Sequence, residues 1–100
     1  MVDRAPTHLS PGKIVITPGA QTAARESGER PYAYLWRHIN GDWGDLTPED
    51  RRANEEALNT GARLISAYVL RSGVRIWIIT EAASEDGRRA STCILLPDEY

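Results

Sequence analysis

The stretch that decides the fold is RLISAYVL at Arg63–Leu70, followed by the tripeptide Arg71–Gly73 and by VRIWIIT at Val74–Thr80. Both long segments are rich in β-branched and aromatic residues, which favour strands, and a short glycine-containing connection between such segments is typical of a hairpin. Ser91–Leu96 has the same character and follows a polar loop. These segments predict three consecutive antiparallel strands, and therefore a folded domain built on a β-meander.

The residues before the meander predict one more strand and three helices. Lys13–Thr17 contains the apolar run Ile-Val-Ile and is expected to be a short strand. It leads directly into a helix start, because Thr17 can cap a helix whose first position is occupied by Pro18. Equivalent start and stop signals predict a helix over about ten residues up to Ser27-Gly28, a second from Pro31 to Ile39 and a third from Thr47-Pro48 to Gly61.

The expected order is therefore β-α-α-α-β-β-β, an α+β domain with a small antiparallel sheet packed against helices. Residues 13–100 form this single domain, and residues 1–12, with two prolines and little periodicity, are expected to be a flexible N-terminal arm. The core is expected to contain nine large apolar side chains: Leu35, Trp36, Ile39, Leu64, Tyr68, Ile76, Ile78, Ile94 and Leu96.

Both faces of the predicted meander are largely apolar. One face of the first strand carries Leu64 and Tyr68, while the other carries Ile65 and Val69. Helices can cover one face, so the N-terminal strand and arm, or a second copy of the protein, must shield part of the other. The sequence therefore predicts self-association, with a symmetric homodimer as the simplest form.

Charge and cysteine content narrow the classes of function. The net charge of −2 argues against nucleic acid as a partner, because affinity for phosphate depends on concentrated Lys and Arg. The single cysteine, Cys93, allows no internal disulfide, and no Cys/His cluster or cofactor motif is present. The apolar runs are strand-length, so no membrane partner is expected and the predicted location is the cytoplasm. No cofactor and no metal ion are expected.

Arg37-His38, at the end of the second predicted helix, is the candidate catalytic pair. A histidine can act as a general base beside an anion-binding arginine, which is the chemistry that a small metal-independent ribonuclease of toxin type requires. Arg75 is the other candidate phosphate clamp. The alternative is structural, since a histidine is also stabilised electrostatically near a helix C-terminus.

The turn Gly41–Asp45 is the candidate recognition element. Its glycines can present the Trp43 indole between the carboxylates of Asp42 and Asp45, as an aromatic anchor for a protein partner. The alternative is that Trp43 packs into the core and holds the loop in place. Asp42 and Asp45 also suit turn formation, and their spacing does not match the EF-hand calcium loop.

A third candidate is the strand face that carries Arg75 and Trp77. An aromatic side chain flanked by arginines on a sheet can stack on bases or contact a protein partner, and the alternative is that Trp77 belongs to the core. With one aromatic residue on the strand and no matching motif on its neighbour, nucleic acid stays the weaker interpretation. We therefore include Trp77 among the candidate binding residues.

Four segments carry a resemblance to a known family: Gly41–Leu46, Arg63–Tyr68, Arg75–Ala82 and Ile94–Tyr100. Over residues 12–100 the chain resembles a widespread family of small uncharacterised bacterial proteins, often encoded on plasmids and other mobile elements. Some members are automatically labelled as a type I restriction-modification subunit, but a chain of 100 residues is too short for the nucleotide-fold domain of a methyltransferase. The resemblance implies a mobile-element setting and assigns no active-site residue.

Taken together, these patterns predict a small cytosolic protein-interaction module without enzymatic activity. An accessory role in a mobile element, or an anti-defence role, follows from the resemblance. The expected contact residues are Asp42, Trp43, Asp45 and Trp77. The alternative is the ribonuclease, with His38 as the base and Arg37 or Arg75 as the phosphate clamp.

Overall fold

The computed structural model describes residues 9–100, which form three α-helices, one four-stranded sheet and a short 3-10 turn. The elements are β1 Lys13–Ile16, α1 Pro18–Glu26, α2 Pro31–Ile39, α3 Pro48–Thr60, β2 Leu64–Val69, β3 Arg75–Thr80, β4 Ser91–Leu95 and the turn Pro97–Glu99. This order confirms the predicted α+β class. None of the helices in the described range is both long and apolar enough to cross a membrane.

The helix boundaries follow the local signals in the sequence. The Thr17 and Thr47 hydroxyls each accept a hydrogen bond from the backbone N–H three residues later, and a proline occupies the first position of each helix. Gly61 ends α3 with φ +83°, in the left-handed region that favours glycine. The predicted caps and stops of these helices are confirmed.

The sheet has the strand order β1-β4-β3-β2, and only part of it is antiparallel. β2 pairs with β3 and β3 with β4 in antiparallel register, as the meander predicts. β1, however, runs parallel to β4, with Ile14 opposite Thr92 and Ile16 opposite Ile94. The prediction of an antiparallel sheet was therefore wrong for β1. The partner of β1 lies far along the chain, so no hairpin turn dictates the direction of this strand.

Helices α1 and α2 pack on one side of the sheet, which we call the covered face. Ala20 and Ala23 from α1 and Leu35 from α2 are buried there against the sheet residues Tyr68, Ile76, Ile78 and Ile94, together with Leu70. Leu64 packs in an adjoining cluster with Leu9, Trp43 and Ala57. Most of the predicted core is thus buried, and Ile39 and Leu96 pack against it while remaining partly exposed.

Trp36 is the one predicted core residue that lies on the surface, with 63% of its area exposed. The buried positions of α2 are Leu35 and His38, three residues apart, and Trp36 points away from them. The expectation that Trp36 belongs to the core was therefore wrong. Its place in the buried stripe is taken by a polar side chain, because His38 finds hydrogen-bond partners on the sheet.

The predicted N-terminal arm, residues 1–12, lies only partly within the described residues, since 1–8 fall outside them. At its end, Leu9 is buried beside Trp43, and its N–H donates to the Ile39 carbonyl. The Pro11 carbonyl accepts a hydrogen bond from Thr92. Packing of the domain therefore begins before Lys13.

Candidate functional site

The side of the sheet opposite α1 and α2, the open face, is the candidate functional surface. Its residues are Val15 on β1, Ile65, Ala67 and Val69 on β2, Arg75, Trp77 and Ile79 on β3, and Cys93 and Leu95 on β4. Ala67, Ile79 and Leu95 are buried, but Ile65, Trp77 and Cys93 are only half-buried. Val15 and Val69 expose 41% and 48% of their area, so the face presents apolar surface to solvent.

A groove of about 880 Å³ lies along the β2 side of the open face. Ile65, Ala67 and Trp77 form its apolar floor, and the N-terminal half of α3 forms a wall that includes Asp50 and Ala53. The volume falls in the range of natural ligand and peptide sites, and an apolar floor with a few polar groups at the rim is typical of such sites.

The rim of the groove carries two arginines and two aspartates. Arg75 Nη2 donates to Asp45 Oδ2 at 2.8 Å, so this pair is neutralised within the molecule. Arg63 Nη1 donates to the uncharged Tyr100 hydroxyl at 2.5 Å. Among residues 9–100, neither Arg63 nor Asp50 forms an ion pair, so the groove presents one charged side chain of each sign without an ion-pair partner.

Tyr100, which directly follows the turn Pro97–Glu99, extends the aromatic surface of the groove floor. Its ring meets Trp77 edge to face, with 5.8 Å between the ring centroids. The Arg63 guanidinium carbon lies 5.6 Å from the Tyr100 centroid, within reach of a cation–π contact. Tyr100 remains 67% exposed. Trp77, Tyr100 and Arg63 therefore form an accessible cluster of the residue types that contribute most to protein interfaces.

The outer edge of β2 is closed by side-chain and backbone contacts. Asn54 on α3 donates from Nδ2 to the Ile65 carbonyl at 2.7 Å and accepts from the Ile65 N–H at 3.2 Å. Further along, the Asp45 N–H donates to the Ala67 carbonyl at 2.7 Å, and the Ala67 N–H donates to the Trp43 carbonyl. A peptide cannot add along Ile65–Ala67 as a further strand, because the outward hydrogen-bonding groups of these two residues are already used.

The close approach of this loop to β2 depends on a glycine. Gly44 has φ +77°, and a Cβ at this position would lie 2.1 Å from the Ala67 carbonyl oxygen. Only glycine combines that backbone conformation with so short a distance. The predicted turn Gly41–Asp45 is thus a clasp on the edge of the sheet, and its glycine serves packing rather than presentation of an indole.

Trp43 is buried, with 4% of its area exposed, so the prediction that it is an exposed recognition anchor was wrong. Its indole Nε1 donates to Glu55 Oε2 at 2.8 Å, and its ring meets His38 edge to face at 5.7 Å between centroids. The packed alternative is the one the structure shows. The indole lies in the apolar cluster between α3 and β2, where it gains more from burial than it would at an exposed turn.

The two aspartates of the turn each pair with an arginine. Arg37 Nε donates to Asp42 Oδ2 at 2.7 Å, and this hydrogen bond, with the positive charge behind it, lowers the pKa of the Asp42 carboxyl. Asp45 pairs with Arg75 on the groove rim. Asp42 lies outside the groove, whereas Asp45 and Trp77 of the predicted binding residues line it. Within residues 9–100, no three His, Cys, Asp or Glu side chains are grouped so as to hold a metal ion.

His38 is completely buried, which agrees with the structural alternative for this residue and is unfavourable to the ribonuclease alternative, in which it would be the catalytic base. Its Nδ1 lies 2.5 Å from Ser66 Oγ and its Nε2 lies 2.8 Å from Thr80 Oγ1. Burial, reinforced by the positive charge of Arg89, lowers the pKa of His38 to about 4. A neutral imidazole enclosed in this way has no access to substrate. Arg37 and Arg75 lie on the surface, each bound to an aspartate, so the three ribonuclease candidates do not form one site.

The hydrogen bonds around His38 form a directed chain across the covered face. At its far end the Thr92 hydroxyl donates to the Pro11 carbonyl, so the Thr80 hydroxyl must donate to Thr92. Thr80 then accepts from His38, which requires the proton on Nε2 and leaves Nδ1 to accept from Ser66. This series of hydrogen bonds satisfies both ring nitrogens of His38, the polar side chain that the buried stripe of α2 brings to the sheet. Its role is structural.

Sequence reasoning missed Asp50, Asn54, Arg63 and Tyr100 as parts of the site. Asp50 and Asn54 belong to a helix whose polar composition predicted only a surface position, and Arg63 and Tyr100 lie just outside regular elements. The available signal was the alternation of β2, which places Ile65 and Ala67 on a face that the helices do not cover. No pattern in the sequence indicated that α3 would stand beside that face.

Comparison with known proteins adds no relative to this picture. No protein-family model matches the chain, and no curated protein or solved structure that was compared with it matches. The family resemblance of the motifs stays a prediction.

Proposed function

We propose that the protein is a non-enzymatic protein-interaction module whose contact surface is the open face and its groove. The observation that carries the proposal is a groove of about 880 Å³ with the apolar floor Ile65, Ala67 and Trp77, on a sheet face that the helices α1 and α2 leave uncovered. Exposed apolar surface of this kind, rimmed by charged side chains, is characteristic of an interaction site.

The chemistry of the groove supports binding rather than catalysis. Its charged residues are two arginines and two aspartates, with Arg75 and Asp45 already paired. A nuclease or a nucleic-acid platform requires a net positive surface for phosphate, and the two signs balance here. Trp77, Tyr100 and Arg63 are instead suited to the centre of a protein interface, where aromatic and arginine side chains dominate the binding energy.

The biological setting of the proposal comes from the family resemblance. It suggests a cytosolic accessory protein of a mobile element, or an anti-defence protein. Both roles can be carried out by binding another protein, so both are compatible with the same surface.

Co-purification with matched tryptophan variants tests the proposal. Trp77→Ala removes the aromatic floor of the groove, and Trp36→Ala removes an indole that is 63% exposed on α2, on the other side of the molecule. We expect proteins captured from native lysate by the wild type to be retained by Trp36→Ala and lost with Trp77→Ala. Both variants must first show cooperative unfolding.

Retention of the captured proteins by Trp77→Ala would refute the groove as the contact surface. Loss with Trp36→Ala alone would move the interaction to α2. Because a partner must bind the folded state, a purified partner should also raise the unfolding temperature of the wild type and leave that of Trp77→Ala unchanged.

A further inference from the structure

Resting on the proposed function, we propose that the protein partner of the open face is a second copy of this chain, related by a two-fold axis that passes through the groove. The axis pairs Arg63 of each copy with Asp50 of the other. The occupant is inferred from the charges of the groove, from the position of Tyr100 and from the extent of the apolar face.

The two charged groove residues without an ion-pair partner, Arg63 and Asp50, are self-complementary. Arg63 adjoins the start of β2, and Asp50 projects from the α3 wall, so the two line the same groove from different elements. Neither has an ion-pair partner within residues 9–100. A two-fold axis that lies in the plane of the interface and runs midway between these two side chains, perpendicular to the line that joins them, places each Arg63 over the other copy's Asp50. One rotation therefore forms two identical ion pairs, which is the arrangement expected of an isologous dimer.

The open face also carries a projecting side chain beside the groove. Tyr100 is 67% exposed and packs against Trp77 on the groove floor. Val15 and Val69, both on the open face, expose 41% and 48% of their area. An isologous interface needs projections and hollows on the same patch, because the projections of each copy must fill the hollows of the other. Tyr100 next to the groove meets that requirement.

The size of the face sets the expected strength of the dimer. Four strands at about 4.8 Å spacing and six residues at about 3.3 Å give a sheet footprint of roughly 380 Å². A standard interface buries about 800 Å² on each partner, so the α3 wall and the C-terminal segment must contribute the rest. We expect a dissociation constant on the order of micromolar, weakened by added salt.

On the groove side of the sheet, the mode of contact is face to face because the β2 edge is not available. Asn54 and the segment Trp43–Asp45 use the outward hydrogen-bonding groups of Ile65 and Ala67. Sheet extension across β2 into a second copy is therefore excluded, while two open faces can stack as in a β-sandwich.

Sedimentation equilibrium with charge-reversed variants tests this dimer. Arg63→Glu and Asp50→Arg each replace two attractions by two repulsions, and each single variant should raise the dissociation constant at least about tenfold. An equimolar mixture of the two variants restores both attractive pairs in the heterodimer, and it should associate about as tightly as the wild type. Arg52→Glu, an exposed α3 residue outside the groove lining, is the matched control and should leave the constant unchanged.

A wild type that stays monomeric at concentrations on the order of 100 µM would overturn the dimer. So would a dimer that neither charge reversal weakens, or a mixture of variants that fails to reassociate. These outcomes can be distinguished from failure of the proposed function. If the protein is a monomer but still captures other proteins through Trp77, the interaction function stands and only the dimer is refuted. Circular dichroism of each variant confirms that the changes at these exposed positions leave the fold intact.

Discussion

Protonation of His38 should make the stability of this protein depend on pH between 7.5 and 5. The ordinary pKa of histidine is 6.5, and burial next to the positive Arg89 lowers the pKa of His38 to about 4 in the folded state. The unfolded chain therefore takes up a proton first as the pH falls. The contribution of His38 to stability is fully present at about pH 7.5 and is lost progressively as the pH falls through 6.5 toward 4.

The size of the effect follows from the two pKa values. A difference of about 2.5 pKa units corresponds to roughly 3 kcal/mol when the loss is complete. At pH 5 the loss relative to pH 7.5 should be about 2 kcal/mol, because the unfolded histidine is almost fully protonated there and the folded one is mostly neutral. Carboxyl groups with lowered pKa values, such as Asp42, contribute mainly below this range.

Urea unfolding at several pH values, in wild type and in His38→Gln, measures this contribution. The variant cannot be protonated at position 38, so its stability should be nearly constant between pH 7.5 and 5 even though it is lower overall. Equal pH slopes in the two proteins would refute the argument. So would an NMR titration of the folded wild type in which the His38 ring takes up its proton near pH 6.5.

Three further predictions concern packing. Replacing Ile78, which is completely buried, by Ala should cost about 2 to 5 kcal/mol in chemical denaturation, and an unchanged midpoint would remove it from the core. Trp43→Ala should lower the free energy of unfolding by about 3 to 5 kcal/mol, and a variant of wild-type stability would contradict the buried position of the indole. Asn54→Ala should lower the free energy of unfolding by about 1 to 3 kcal/mol and speed amide exchange at Ile65. The exposed control Asn59→Ala should do neither. If exchange at Ile65 stayed protected in Asn54→Ala, Asn54 would not be its hydrogen-bond partner.

The elements of this fold could be predicted because their signals are local. Thr17-Pro18 and Thr47-Pro48 satisfy the first turn of a helix with their own atoms, and Gly61 adopts the left-handed conformation that ends one. The hairpin of β2 and β3 likewise depends on neighbouring residues. Such signals act over a few residues and need no partner elsewhere in the chain.

The exchange of Trp36 for His38 in the buried stripe of α2 shows where local patterns stop. Hydrophobicity places an indole inside and an imidazole outside, and the structure has the reverse. His38 is stable in the interior only because Ser66 and Thr80 meet both of its ring nitrogens. His38, Ser66 and Thr80 are all polar side chains when taken alone. They can hydrogen-bond to one another only once α2 lies across the sheet.

By itself, the sequence determined the order and bounds of the elements, the antiparallel meander, and the presence of apolar side chains on both faces of the sheet. Only the tertiary structure decided that β1 runs parallel to β4, that Trp43 closes the edge of β2 from inside, and that α3 stands beside Ile65 and Trp77 to make a groove. The physical reason is the separation along the chain between the residues that interact. Caps and turns are satisfied within a few residues, whereas strand direction and burial of a large side chain depend on contacts between segments tens of residues apart, which no local pattern encodes.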